Sequence, residues 1–238
     1  MGRAFEYRKA RKMKRWASMA KAFTKIGREI AIAVKEGGGD PDYNPRLRLA
    51  IQNAKTANMP KANVDSAIKR ALSKDAANYD EVIYEGYGPK GVAVMVETAT
   101  DNTNRTVASM RLIFSKGGGN LGNSGEVDYM FTRKGQFKIP AEGRDIEELE
   151  LELIDHGLEE LQQDEEELVL TTAFEDFGTM QKALEEMEIE VSNAELVRIP
   201  SHTKKLDDDG EEAMIKLLDK LEEDDDVVNV FHNMDMGE

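Results

Sequence analysis

No apolar face of useful width exists before Ser18. Residues 3 to 15 interleave Arg3, Arg8, Lys9, Arg11, Lys12, Lys14 and Arg15 with Phe5 and Tyr7, and Trp16 follows. From Met19 the pattern turns periodic. Met19, Phe23, Ile26, Ile30 and Ala33/Val34 recur every three or four residues, which predicts one buried stripe of a helix. Gly37 stands where a left-handed residue commonly caps a helix. The loop Gly37-Gly38-Gly39-Asp40-Pro41 leads to Asn44-Pro45, an N-cap and first-turn proline for a second helix with Leu47, Ala50, Ile51 and Ala54 inside. Asn58-Met59-Pro60 ends it. A third helix follows, with Val64, Ala67, Ile68, Ala71 and Leu72 inside. The short break between these two helices has helix-turn-helix spacing, a weak signal, since any three-helix bundle needs short turns.

Beyond residue 77 the period shortens to two. Val82–Gly88 and Gly91–Thr98 read as strands, the latter with Val92, Val94 and Val96 alternating against Ala93 and Met95. Asp101-Asn102-Thr103-Asn104 caps a helix that Gly117 ends. Strands are then predicted at 127–131, 136–139, 168–172 and within 189–199, with helices at 145–156 and 176–187. The last helix, 211–221, and last strand, 227–232, lack a neighbour in sequence and are expected to complete the sheet begun at Ile83. The expected fold class is therefore α+β: an N-terminal three-helix domain, residues 1–76, followed by two small ferredoxin-like α/β sandwich domains. The central domain, 77–133 plus 205–238, is expected to be discontinuous around an inserted acidic domain, 134–204.

Charge changes this picture from architecture to function. Residues 1–74 hold 18 Lys+Arg against 6 Asp+Glu, while the rest holds 14 against 41, within a total of -15. Exposed charges are screened beyond roughly 8–10 Å at physiological salt. A basic domain standing apart from an acidic body can therefore grip phosphate locally, which points to a nucleic-acid partner. The candidate contacts are Arg8, Lys9, Arg11, Lys12, Lys14 and Arg15 of the arm and three expected exposed lines, Lys21/Lys25/Arg28, Arg48/Gln52/Lys55 and Lys61/Lys69/Arg70, with Arg46 beside them. The arm reads either as a solvated tail or as a segment that orders on phosphate, its aromatics stacking on bases. The acidic body would be pushed from phosphate and left for a protein partner.

The chain has no cysteine, which removes disulfides, thiol nucleophiles and Cys-based metal sites and suits a reducing compartment. The charged N-terminus lacks the apolar run of a signal peptide, and nothing approaches the ~18 apolar residues of a membrane span. A cytoplasmic protein without membrane contact is expected. His156, His202 and His232 fall in three different elements with no paired spacing, and no Ser/His/Asp order presents itself. Gly117–Gly122 satisfies G-x-G-x-x-G but has a helix before it and a strand after it, the reverse of a dinucleotide fold. Its glycines, with Asn123, Ser124 and Gly125, could instead expose amides to phosphate or RNA. The runs at 165–167, 207–209 and 224–226 lack the ligand alternation of a calcium loop and read as solvated. No enzyme activity, cofactor, metal or small-molecule substrate is expected.

The stretches GGGDPDYNPRLRLAIQNAKTANMPKANVDSAIKRA and YEGYGPKGVAVMVETATDNTNRTVASMRLIFSKGGGNLGNSGEVDYMFTRKG closely resemble the YebC/PmpR family, which includes the mitochondrial translational activator of cytochrome c oxidase. EEAMIKLLDKLEEDDDVVNVFHNMD looks like that family's C-terminal helix and strand. The resemblance implies a three-domain, non-enzymatic α+β protein. It also implies a regulator of gene expression, either a DNA-binding transcriptional regulator or a ribosome-associated factor assisting translation through proline-rich stretches. DNA or ribosomal RNA is the partner accordingly.

Overall fold

The computed structural model describes residues 19–73, 76 and 78–236, with side chains from Ala22 onward. Three helices open it, α1 (Met19–Gly37), α2 (Pro45–Thr56) and α3 (Lys61–Ala71). Their shared core is Ile30, Ala33, Val34, Leu47, Ala50, Ala54 and Val64, with Ile26, Ala67 and Ile68 at its edge. Small alanines on α2 let the axes approach closely. Asn44 joins two helix ends at once: its Oδ1 accepts from Leu47 N at 3.0 Å, and its Nδ2 donates to Ala33 O at 2.6 Å and Gly38 O at 2.8 Å. The left-handed residue is Gly38 (φ 85°), one position past the expected Gly37. Leu72 departs from expectation too, since it follows the helix and is 62% exposed.

The central sheet contains β1 (Asp80–Tyr87), β2 (Ala93–Thr100), β3 (Asn120–Leu121) and β8 (Val227–His232) in the antiparallel order β3-β1-β2-β8. The helices α4 (Thr103–Lys116) and α7 (Asp208–Glu222) cover one face, where Val92, Val94 and Val96 meet Met110, Phe114, Met214 and Leu218. The other face of β2 buries Ala93 and Met95 against Val127 and Phe131. A strand covered on both sides accounts for its unbroken apolar run.

The inserted domain holds β4 (Phe131–Pro140), α5 (Ile146–Ile154), β5 (Leu158–Asp164), β6 (Glu167–Ala173), α6 (Phe177–Glu186) and β7 (Asn193–Pro200). Its antiparallel sheet runs β5-β6-β4-β7, and its elements follow a β-α-β-β-α-β course, that of a ferredoxin-like sandwich. The central domain instead opens on the hairpin β1-β2 and gains its last helix and strand after the insertion. Two strands expected at 127–131 and 136–139 are a 3-10 turn, Asp128–Met130, and a single ten-residue β4. The edge strand β5 was not expected.

Candidate nucleic-acid interface

The helical domain does not stand apart from the acidic body; it docks on both acidic domains. Arg28, expected on an exposed line, points inward, its side chain 15% exposed. Its Nη1 lies 2.9 Å from Ala99 O, 2.5 Å from Asp225 O and 3.0 Å from Asp226 Oδ1. Lys25 Nζ reaches Val228 O at 3.4 Å. Asp226 is the hub of this contact. Its buried carboxylate also accepts from Arg105 Nη2 at 2.8 Å, Thr106 Oγ1 at 2.8 Å and Thr100 Oγ1 at 3.2 Å. Burial alone would push this carboxyl up, but the Arg105 and Thr106 hydrogen bonds, the Arg105 charge and the Thr100 hydroxyl outweigh it and hold Asp226 below the usual carboxylate range. The last acidic run is therefore no solvated loop at Asp226.

The second expected line is also divided. Arg46 pairs with Glu81 of β1 at 2.5 Å and with Glu36 at 2.9 Å. Arg48 Nε lies 3.9 Å from Glu185 of α6. Gln52 donates to Val191 O at 3.2 Å, Asn53 to Ala194 O at 2.9 Å and Thr56 to Ser192 O at 2.5 Å, while Leu49 packs on the inserted domain's core. At the meeting of all three domains sits half-buried Glu29. Burial pushes its carboxyl up, Arg46 opposes this, and the carboxylates of Glu81, Glu97 and Glu195 add to the rise. Central and inserted domains are themselves latched by buried Arg198, which meets Glu97 at 2.8 Å and Asp128 at 3.2 Å.

What remains outward is a narrower cationic face. Lys55 at the end of α2 and Lys61, Lys69 and Arg70 on α3 are exposed and, among the described residues, carry no ion pair. Residues 61, 69 and 70 come from one short helix, and its buried Val64 leaves them on the solvent side. Lys35, in the last turn of α1, adds an exposed cation that sequence reasoning passed over because it lies off the three lines. The arm candidates Arg8, Lys9, Arg11, Lys12, Lys14 and Arg15, and the side chain of Lys21, lie outside the described residues.

The glycine run is not an open amide cradle. Glu85, 5% exposed on β1, accepts from Gly125 N at 2.6 Å, Val127 N at 2.8 Å and Asp128 N at 2.9 Å. Burial would raise its carboxyl, but these three amides and the Arg198 charge hold it below the usual range. Gly122 N is taken by Glu85 O and Asn123 N by Glu126 Oε2. Gly119 is needed because a Cβ there would meet Tyr87 O at 2.2 Å. The amides that could have formed an anion cradle are thus taken from within by Glu85 and Glu126. In the run at 207–209, Asp207 caps α7 by accepting from Gly210 N at 2.9 Å. Among the described residues no His/Asp/Glu group is gathered to hold a metal, and no helix is long and apolar enough to cross a membrane.

Comparison with known proteins covers nearly the whole chain. Residues 3–74 match the TACO1/YebC protein N-terminal domain, so the match includes the arm, and residues 79–234 match the TACO1/YebC second and third domain. A protein of Porphyromonas gingivalis named probable transcriptional regulatory protein is 56% identical over 235 residues, covering 98% of this chain and 97% of its own. One of the same name from Flavobacterium psychrophilum is 54% identical over 234 residues, covering 98% and 99%. The crystal structure of a conserved hypothetical protein from Aquifex aeolicus superposes with a TM-score of 0.81 at 43% identity, covering 91% of this chain and 90% of that one.

Proposed function

We propose, for a chain that belongs to the TACO1/YebC family, that it is a regulator of gene expression working in the cytoplasm by binding nucleic acid, DNA in the first instance, rather than by catalysis. The names of its relatives support the regulatory role. The observation that carries the binding mode is the exposed cationic face Lys55/Lys61/Lys69/Arg70, without ion pairs among the described residues, on a molecule whose total charge is -15. Charges that served docking, Arg28 and Arg46 above all, are set aside by their own carboxylate partners. The remaining face is free to replace phosphate counterions.

The test is a salt series. Four cations engaging duplex DNA give a slope of log affinity against log salt of roughly -3.6, and each arm residue that engages adds about -0.9. A slope near zero would remove phosphate contact as the basis of the activity. Protection of a defined promoter segment against random duplex then separates a sequence reader from a general phosphate binder.

A further inference from the structure

Between α1 and α3 the helical domain has an open cleft of about 410 Å³, a size typical of ligand sites. Phe23 and Gly27 line it from α1, Asn63 and Arg70 from α3, and Tyr79 from the segment entering β1. Gly27 is the informative residue. It lies in the interior of a 19-residue helix, where glycine is among the poorest choices. Its backbone is ordinary, and nothing among the described residues comes within 4 Å of where a Cβ would stand. At Gly37, Gly39, Gly86 and Gly88, by contrast, a Cβ would collide with neighbours at 2.4 to 2.8 Å. Packing among the described residues therefore does not call for glycine at position 27. What its missing side chain does is hold the cleft open.

The lining chemistry narrows the occupant. Phe23 and Tyr79 bring aromatic surface to the cleft, with the Arg28 guanidinium over the Tyr79 ring at 5.4 Å from its centre, and the exposed Asn63 amide carries a donor and an acceptor for the edge of a planar ring. Arg70 is exposed and unpaired among the described residues, next to Lys69 on the same helix. A second cavity of about 400 Å³ adjoins through Arg28 and Tyr79 and is lined by Arg105 and by Asp101, Asp224, Asp225 and Asp226. Arg28 and Arg105 are paired there with Asp226 and Asp101, so the carboxylates outnumber the cations and a phosphate is better placed on the Arg70 side. A base inside a duplex cannot enter a cleft between two helices; a base that is unpaired and splayed out can.

We infer that this cleft takes one unpaired nucleotide of a single-stranded nucleic acid, its base among Phe23, Gly27 and Tyr79 and its phosphate at Arg70. The inference rests on the nucleic-acid reading above and sharpens it from phosphate contact to strand state.

The test measures fluorescence anisotropy of the full chain with short labelled single-stranded RNA, single-stranded DNA of the same sequence, and the corresponding DNA duplex. Gly27→Leu fills the cleft, and a Lys61→Glu/Lys69→Glu pair weakens phosphate contact without touching it. Gly27→Leu is expected to melt no lower than the parent and to weaken single-strand binding about tenfold or more, the scale of one lost stacking partner, with duplex affinity unchanged. Loss on either single strand supports the cleft, and the larger loss identifies its strand. Should Gly27→Leu fail to fold, Gly27→Ala repeats the comparison with one methyl and an intermediate loss. Unchanged single-strand binding in a folded Gly27 variant, while the Lys61/Lys69 pair still weakens it, overturns the cleft and leaves phosphate contact standing. A parent chain that binds none of the three probes overturns both.

Discussion

Asp226 offers the most direct test of how the helical domain is held. Asp226→Asn preserves shape but removes the charge shared by Arg28 and Arg105, and it turns an amide donor toward groups that already donate. Removing one partner of a buried pair costs about 3–5 kcal/mol. Arg105, with 55% of its side chain exposed, can rehydrate and keep Asp101 at 2.8 Å. Arg28 keeps its two carbonyl acceptors, so the loss falls at the low end, about 3 kcal/mol. For a chain of this size that is about 6–12 °C in Tm, measured by scanning calorimetry at pH 7. The sign with pH follows from the depressed carboxyl. Its contribution is complete above its unfolded pKa of about 3.9 and is lost as pH falls through the lower folded value, so the variant's deficit should shrink toward nothing in strong acid. A variant melting within about 1 °C of the parent at pH 7, or a deficit that persists unchanged in acid, would refute the hub.

Glu29→Gln should act oppositely. The raised Glu29 carboxyl is least unfavourable below its unfolded pKa of about 4.3 and loses stability as pH rises through its folded value, so the variant should melt above the parent at pH 7 and level with it in acid; a lower melt at pH 7 would contradict this. Glu85→Ala strips the acceptor from three amides and should cost about 3 kcal/mol, with faster hydrogen exchange at Gly125, Val127 and Asp128; unchanged protection there would show that the turn holds itself. Reversing Lys69 or Arg70 to Glu should leave Tm within about 1 °C and reduce the salt slope on duplex DNA by roughly one each; an unaltered slope removes that residue from the interface.

The helical periodicity of α1 and α2 was legible because both helices bury their stripes against near neighbours, and the Asn44 cap announced itself within four residues. The return of β8 to β2 could be anticipated because a lone apolar strand needs an edge. Arg28 illustrates what could not be read. A polar helix face looks the same whether it meets water or a second domain, and its partner Asp226 lies 198 residues away. The glycine turn likewise displays its donors in sequence but hides its acceptor, Glu85, 40 residues upstream of Gly125. Strand β5 escaped because its inward residues, Leu158 and Leu161, are three apart across a bulge, which breaks the period of two. Charged residues along that strand also suit its place at the sheet edge.

The split of the central sheet has a consequence for synthesis. β2 takes its final neighbour only when β8 has been made, and 126 residues separate Thr100 from Asp226. At ~5–20 residues per second the ribosome needs about 6–25 s for that stretch. The inserted domain is contiguous and can mature meanwhile, whereas the edge bearing Val94, Met95 and Val96 stays without its partner strand on the nascent chain. The acidic insertion thus postpones closure of the central sheet, and through that interval the β2 edge stands open on the nascent chain.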